Sequence, residues 1–132
     1  MEPPLILETT FLIDFERERR SDSGKTLDFL RAHPRRRLAI SHTIAGELAA
    51  GASLAHSDQW EAFLRPFLLL DADHRTDWQY GRVFRYLKQQ GRLIGTNDLW
   101  IAAAALAHQC PLVTANAAPF RRVPDLEVFE YR

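Results

Sequence analysis

Short, almost wholly apolar runs recur at residues 5–7, 38–40, 67–70 and 112–114, with stretches of helical spacing between them. This alternation restricts the fold more than any other feature. A strand with one wet face alternates polar and apolar residues, so runs of this kind belong to strands covered on both sides. Strands that alternate with helices pair in parallel, because each helix carries the chain back over the sheet. The expected fold class is therefore α/β, a three-layer α/β/α arrangement around a central parallel sheet of four to five strands. The fifth strand is an edge at residues 128–131. At 132 residues and without a linker-like or repetitive stretch, residues 1–132 are expected to form a single domain.

Between the strands, Phe11, Leu12 and Phe15 open a helical spacing. Ser23 is placed to cap a helix reaching about residue 32, and Ser41 a helix to residue 50 that Gly51 ends. Further helices are expected over 58–65, 75–90 and 98–108. The last is apolar nearly all round and so must be central.

Lys and Arg together number 17, as do Asp and Glu, so bulk charge gives no attraction to a polyanion and any such binding is local. The basic set is nearly all Arg, whose planar fork suits phosphate. The longest apolar run, residues 99–107, is far short of the roughly 20 residues that cross a bilayer. The opening Met-Glu-Pro-Pro resembles no secretory signal, so a cytoplasmic location and no membrane partner are expected. The one cysteine, Cys110, lies among apolar residues and reads as core.

Ligands of open parallel sheets bind beyond the carboxyl ends of the strands, and oxygen-bearing side chains gather there. Glu8 leaves the first strand directly. Glu47 lies on or beside the apolar side of the helix after the second strand. Asp98 is in the first turn of the apolar helix, and Asn116 just follows the last buried strand. Each has a plainer reading: Glu8 and Asp98 as helix-start acids, Glu47 as the partner of an arginine, Asn116 as a turn residue. Taken together they describe a cation site. Two carboxylates about 4 Å apart repel by roughly 4 kcal/mol at an effective dielectric near 20, so three stay ionised only around a positive charge. Oxygen ligands favour Mg²⁺ or Mn²⁺. The five histidines show no paired spacing, which disfavours zinc.

The strings LILETTFLIDFERE, ISHTIAGELAAG, IGTNDLWIAAAALAH and PLVTANAAPFRRVPDLEV stand in this order and span nearly the whole chain. They resemble the successive motifs of the PIN-domain ribonucleases, specifically the VapC-type toxins of VapBC toxin–antitoxin pairs. The resemblance implies that Glu8, Glu47 and Asp98 are the catalytic, metal-binding acids, with Thr10 and Asn116 in supporting positions. It implies Mg²⁺ or Mn²⁺ as cofactor, RNA as substrate, a VapB-like antitoxin as partner, and a homodimer. The chain departs from the family pattern twice. The first acid, usually Asp, is Glu8, and the closing loop has Asn116 and Pro119 where another acid often stands.

The expected activity is that of a metal-dependent endoribonuclease, the toxin of a type II toxin–antitoxin system, which hydrolyses RNA phosphodiester bonds with an activated water. Groups such as Arg17, Arg19 and Arg20, Arg35 to Arg37, and Arg121 with Arg122 are candidates to hold the RNA backbone, or are simply solvated. The alternative is a catalytically weak or inactive PIN-fold protein that binds RNA or an antitoxin. A phosphotransfer receiver ranks last, because it needs a Lys after a late strand, whereas Lys25 and Lys88 fall in expected helices.

Overall fold

The computed structural model describes residues 1–132. Five strands, β1 (Leu5–Leu7), β2 (Leu38–Ile40), β3 (Leu68–Leu69), β4 (Leu112–Thr114) and β5 (Val128–Glu130), form one sheet in the order β3-β2-β1-β4-β5. Every pairing is parallel. Helices α1 (Thr9–Glu18) and α2 (Lys25–Ala32) connect β1 to β2; α3 (His42–Ala50), a 3-10 turn (Ala52–Leu54) and α4 (Ser57–Leu64) connect β2 to β3. Helices α5 (His74–Gln89) and α6 (Thr96–His108) return the chain across the sheet to β4, and the short α7 (Ala117–Phe120) leads to β5. The first two connections step one way along the sheet and the third steps back. Right-handed crossovers then put α1 to α4 on one face and α5 and α6 on the other.

Burial follows the apolar runs. The residues of β1 are fully buried, and α6 packs Leu99, Ile101 and a row of alanines into the core, where small side chains let the helix lie close to the sheet. Cys110 is buried in the same cluster, as expected. β3 departs from expectation: it is only two residues long, and Leu68 and Leu69 are 46% and 45% exposed. As the edge strand it is covered incompletely, a position that an apolar run does not reveal. Two aromatic residues of α5, Trp78 and Tyr86, also stand on the surface rather than in the core. No helix is long and apolar enough to cross a membrane.

The start of α2 differs from the expected Ser23 cap. The N-cap is Gly24, at φ 145°, and its side-chain partner comes from the preceding helix: Glu18 Oε1 accepts from the Thr26 amide at 2.9 Å and from the Thr26 hydroxyl at 2.7 Å. A Cβ at position 24 would lie 2.1 Å from that Glu18 oxygen, so the turn requires glycine both for its backbone and for its space.

The chain end is tied to α1. The Tyr131 hydroxyl donates to Asp14 Oδ2 at 2.6 Å and lies 3.0 Å from the Thr10 carbonyl, while Arg132 Nε reaches Asp14 at 2.8 Å and Arg17 does so at 3.1 Å. Burial pushes the Asp14 carboxyl up, but the Tyr131 and Arg132 hydrogen bonds and the charges of Arg132 and Arg17 outweigh it and hold the carboxyl below its ordinary value. Burial, and then the bond to Asp14, push the Tyr131 phenol up to about 12. A depressed carboxyl stabilises the fold above its unfolded pKa and loses that contribution as pH falls through the lowered value. Wild type is therefore expected to lose more stability than Asp14→Asn between about pH 5 and about pH 2, measured by urea unfolding. Parallel acid limbs would show that the network contributes nothing.

Candidate metal centre at the carboxyl edge of the sheet

Parallel pairing puts the carboxyl ends of all strands on one edge, and the expected acids gather there. Glu8 follows β1 and occupies the N-cap position of α1, yet its side chain makes no cap bond. Only its backbone carbonyl serves the helix, accepting from Phe11 at 2.9 Å and Leu12 at 3.2 Å. The residue is 95% buried, with its side chain turned toward β4. In the β1–β4 register Leu7 stands opposite Val113, so the next residues along, Glu8 and Thr114, are neighbours. Glu8 Oε1 accepts from the Thr114 hydroxyl at 2.6 Å and from the Thr10 hydroxyl at 2.7 Å.

Those hydroxyls have fixed polarity. The Ala115 amide donates to Thr10 Oγ1 and the Asn116 amide to Thr114 Oγ1, each at 3.0 Å. Because a carboxylate only accepts, each hydroxyl directs its single proton to Glu8 while its oxygen accepts from the turn. The turn after β4 is thereby linked through two threonines to the carboxylate at the end of β1.

Glu47 projects from α3 and is also held by two donors: the Thr9 hydroxyl at 2.5 Å on Oε1 and the Asn97 amide nitrogen at 3.2 Å on Oε2. Its partners are thus a hydroxyl and an amide rather than an arginine. Asp98, in the first turn of α6, differs from both glutamates. Burial, then the charges of Glu8 and Glu47, raise its carboxyl above the ordinary value, and no hydrogen bond acts on it. Asp98 therefore lies within the electrostatic reach of both glutamates. The three acids are not yet closed around a common point, since no three acidic, His or Cys side chains stand at coordination distance from one centre. Each glutamate is held in place by its own donors, Glu8 by two hydroxyls and Glu47 by a hydroxyl and an amide. The donor chemistry of the three carboxylates is that of a hard divalent cation.

The side chain of Asn116 is exposed and caps nothing; the residue enters the site through its backbone amide. Thr9, Thr114 and Asn97 were not singled out from sequence. Thr114 had one legible signal, a hydroxyl at the carboxyl end of a buried strand, but its partner is known only from the register. Of the arginines considered for phosphate binding, Arg17 and Arg20 pair with acids of α1, Arg121 with Glu130 at 2.6 Å, and Arg36 with Glu2 at 3.3 Å. Arg122 donates to the carbonyls of Arg92 and Leu93, which braces the loop leading to α6.

Residues 5–126 match the family model described as "PIN domain". The chain is 34% identical over 94 residues to Ribonuclease VapC2 of Rickettsia felis, covering 67% of this chain and 70% of that one. It is 37% identical over 101 residues to Ribonuclease VapC1 of Haemophilus influenzae strain R2866, covering 71% and 74%. Two similar solved structures are VapBC2 from Rickettsia felis bound to a DNA fragment from their promoter, and VapBC-1 from nontypeable Haemophilus influenzae. The first superposes with a TM-score of 0.81 at 26% identity, covering 97% of this chain and 98% of the other. The second has a TM-score of 0.74 at 29% identity, covering 96% and 97%. The strand order, the acids collected at the carboxyl edge and a match over almost the full length agree: the chain belongs to the PIN domain family.

Proposed function

We propose that residues 1–132 form a single-domain, metal-dependent endoribonuclease, the toxin of a type II toxin–antitoxin pair, with a VapB-like antitoxin as its partner and a homodimer as its assembly. One observation carries the reading: Glu8, Glu47 and Asp98, distant in sequence, stand close enough for the first two to act on the carboxyl of the third. The relatives named Ribonuclease VapC and the solved VapBC structures support the substrate and the partner.

In this reading Glu8, Glu47 and Asp98 hold Mg²⁺ or Mn²⁺. When bound, the ion supplies Lewis acidity toward the scissile phosphodiester and an attacking water. The chain's own contribution is positional. Thr10 and Thr114 fix the buried Glu8, and Thr9 and Asn97 fix Glu47. Asp98, without a donor, is free to turn inward, and the positive end of α6 favours negative charge at this point. No side-chain nucleophile is needed. Because its closing loop offers Asn116 instead of an acid, a one-ion site is the simpler expectation.

The test is cleavage of RNA by the chain purified free of any partner, with Mg²⁺, with Mn²⁺ and with EDTA. Internal cleavage that requires either ion is expected. Cleavage that persists in EDTA would overturn the metal assignment. Absence of cleavage with both ions, for a folded protein that binds RNA, would favour an inactive binding protein.

A further inference from the structure

Asn97 occupies the second position of α6, immediately before Asp98, and is itself exposed. Successive helical residues point about 100° apart, so the two cannot serve the same point equally. Asn97 reaches across to α3, where its Nδ2 lies 3.2 Å from Glu47 Oε2. A carboxylate only accepts, so the amide must present its NH₂ side there, and the residue acts as a donor rather than as an oxygen ligand. From the other side the Thr9 hydroxyl donates to Glu47 Oε1 at 2.5 Å. Each oxygen of Glu47 therefore has exactly one protein donor, and α1, α3 and α6 meet at a single carboxylate. An ionised carboxylate offers about four lone-pair sites, so two remain available once both donors are in place. The clamp orients Glu47 without filling its ligand capacity.

We infer that Asn97, together with Thr9, is a positioning residue that holds Glu47 toward the cation site by donating to it across the gap between α6 and α3. This rests on the metal-dependent reading above. It also distinguishes Asn97 from a ligand in a way the residue type alone does not. A ligand would be improved by an added carboxylate. A donor would be destroyed by it, since aspartate at this position has no proton to give and brings a like charge against Glu47.

The experiment measures Mn²⁺ binding directly, by titration calorimetry and by the electron paramagnetic resonance signal of free Mn²⁺, on RNA-free full-length protein. Thermal melting in EDTA is recorded alongside. Asn97→Ala is expected to weaken Mn²⁺ binding about 10- to 100-fold, the usual effect of losing a group that orients a ligand. Asn97→Asp is expected to bind no more tightly than Asn97→Ala. Thr9→Val should resemble Asn97→Ala, and Thr9→Ser, which keeps the hydroxyl, should restore binding. Because Asn97 is exposed, its variants should melt as wild type does, which separates lost positioning from lost folding. Tighter binding by Asn97→Asp than by Asn97→Ala, or unchanged binding by Asn97→Ala, overturns the positioning role. If Asn97→Ala binds Mn²⁺ as wild type does while Glu47→Gln binds none, the positioning role fails and the metal reading stands. If wild type itself binds none, both fall together.

Discussion

Replacing Asp98 with asparagine is expected to reduce metal-dependent RNA cleavage by roughly 10³-fold or more while leaving the metal-free fold at least as stable as wild type. The two effects have the same origin. The Asp98 carboxyl is raised by burial and by the charges of Glu8 and Glu47, and no hydrogen bond compensates it. In the absence of a cation, its charge is only a cost. Asparagine has nearly the same shape and removes that charge, so it relieves desolvation and repulsion together. With the cation present the same substitution removes the acid best placed to turn inward, because Glu8 and Glu47 are already engaged by their donors. Initial cleavage rates at saturating Mg²⁺ and melting curves in EDTA check both halves. Unchanged cleavage would remove Asp98 from the site, whereas lower stability in EDTA would show that its carboxylate has a structural partner.

The different treatment of these acids explains which parts of the molecule could be read from sequence. The apolar strands β1, β2 and β4, the Ser41 cap and the alanine-rich central helix were legible because each depends on local pattern, and these occur where expected. The acids were legible because carboxylates at strand ends are costly without a purpose. What was hidden depends on distance in the chain. The Glu18 side chain caps α2 from eight residues away, so the start of that helix could not be placed from its own residues. The exposure of Leu68 and Leu69 follows from their place at the sheet edge, which is decided by strand order rather than by composition. Thr9, Thr114 and Asn97 look like an ordinary helix start, a strand residue and a first-turn residue. Each gains its role only when β4 lies beside β1, or when α1 and α6 meet α3.

The departure from the family pattern at position 8 leads to the second large effect. Glu8→Asp restores the acid that the resemblance makes usual, yet it is expected to lower stability by about 2–4 kcal/mol and to reduce cleavage by roughly 10²-fold. The additional methylene of glutamate carries Oε1 to a position 2.6 Å from the Thr114 hydroxyl and 2.7 Å from that of Thr10. Aspartate withdraws the oxygens by about 1.5 Å, one carbon–carbon bond. Turning to each other could satisfy only one of the two hydroxyls, since each has a single proton and the one that accepts must still place its own. Their oxygens lie 3.4 Å apart, and each already accepts an amide proton from the turn after β4, so each still has a proton to place. Thr114 is fully buried, which leaves its donor without water as a substitute. Glu8→Gln makes the opposite exchange: its amide oxygen can accept from both threonines and preserve the fold, but the missing charge should reduce Mg²⁺-dependent cleavage as severely as Asp98→Asn. Urea unfolding in EDTA and cleavage rates in Mg²⁺ for the two variants should therefore diverge, Glu8→Asp losing stability and Glu8→Gln keeping it. A Glu8→Asp protein as stable and as active as wild type would show that the turn after β4 adapts to the shorter acid, and that the threonine pair does not set the position of the carboxylate.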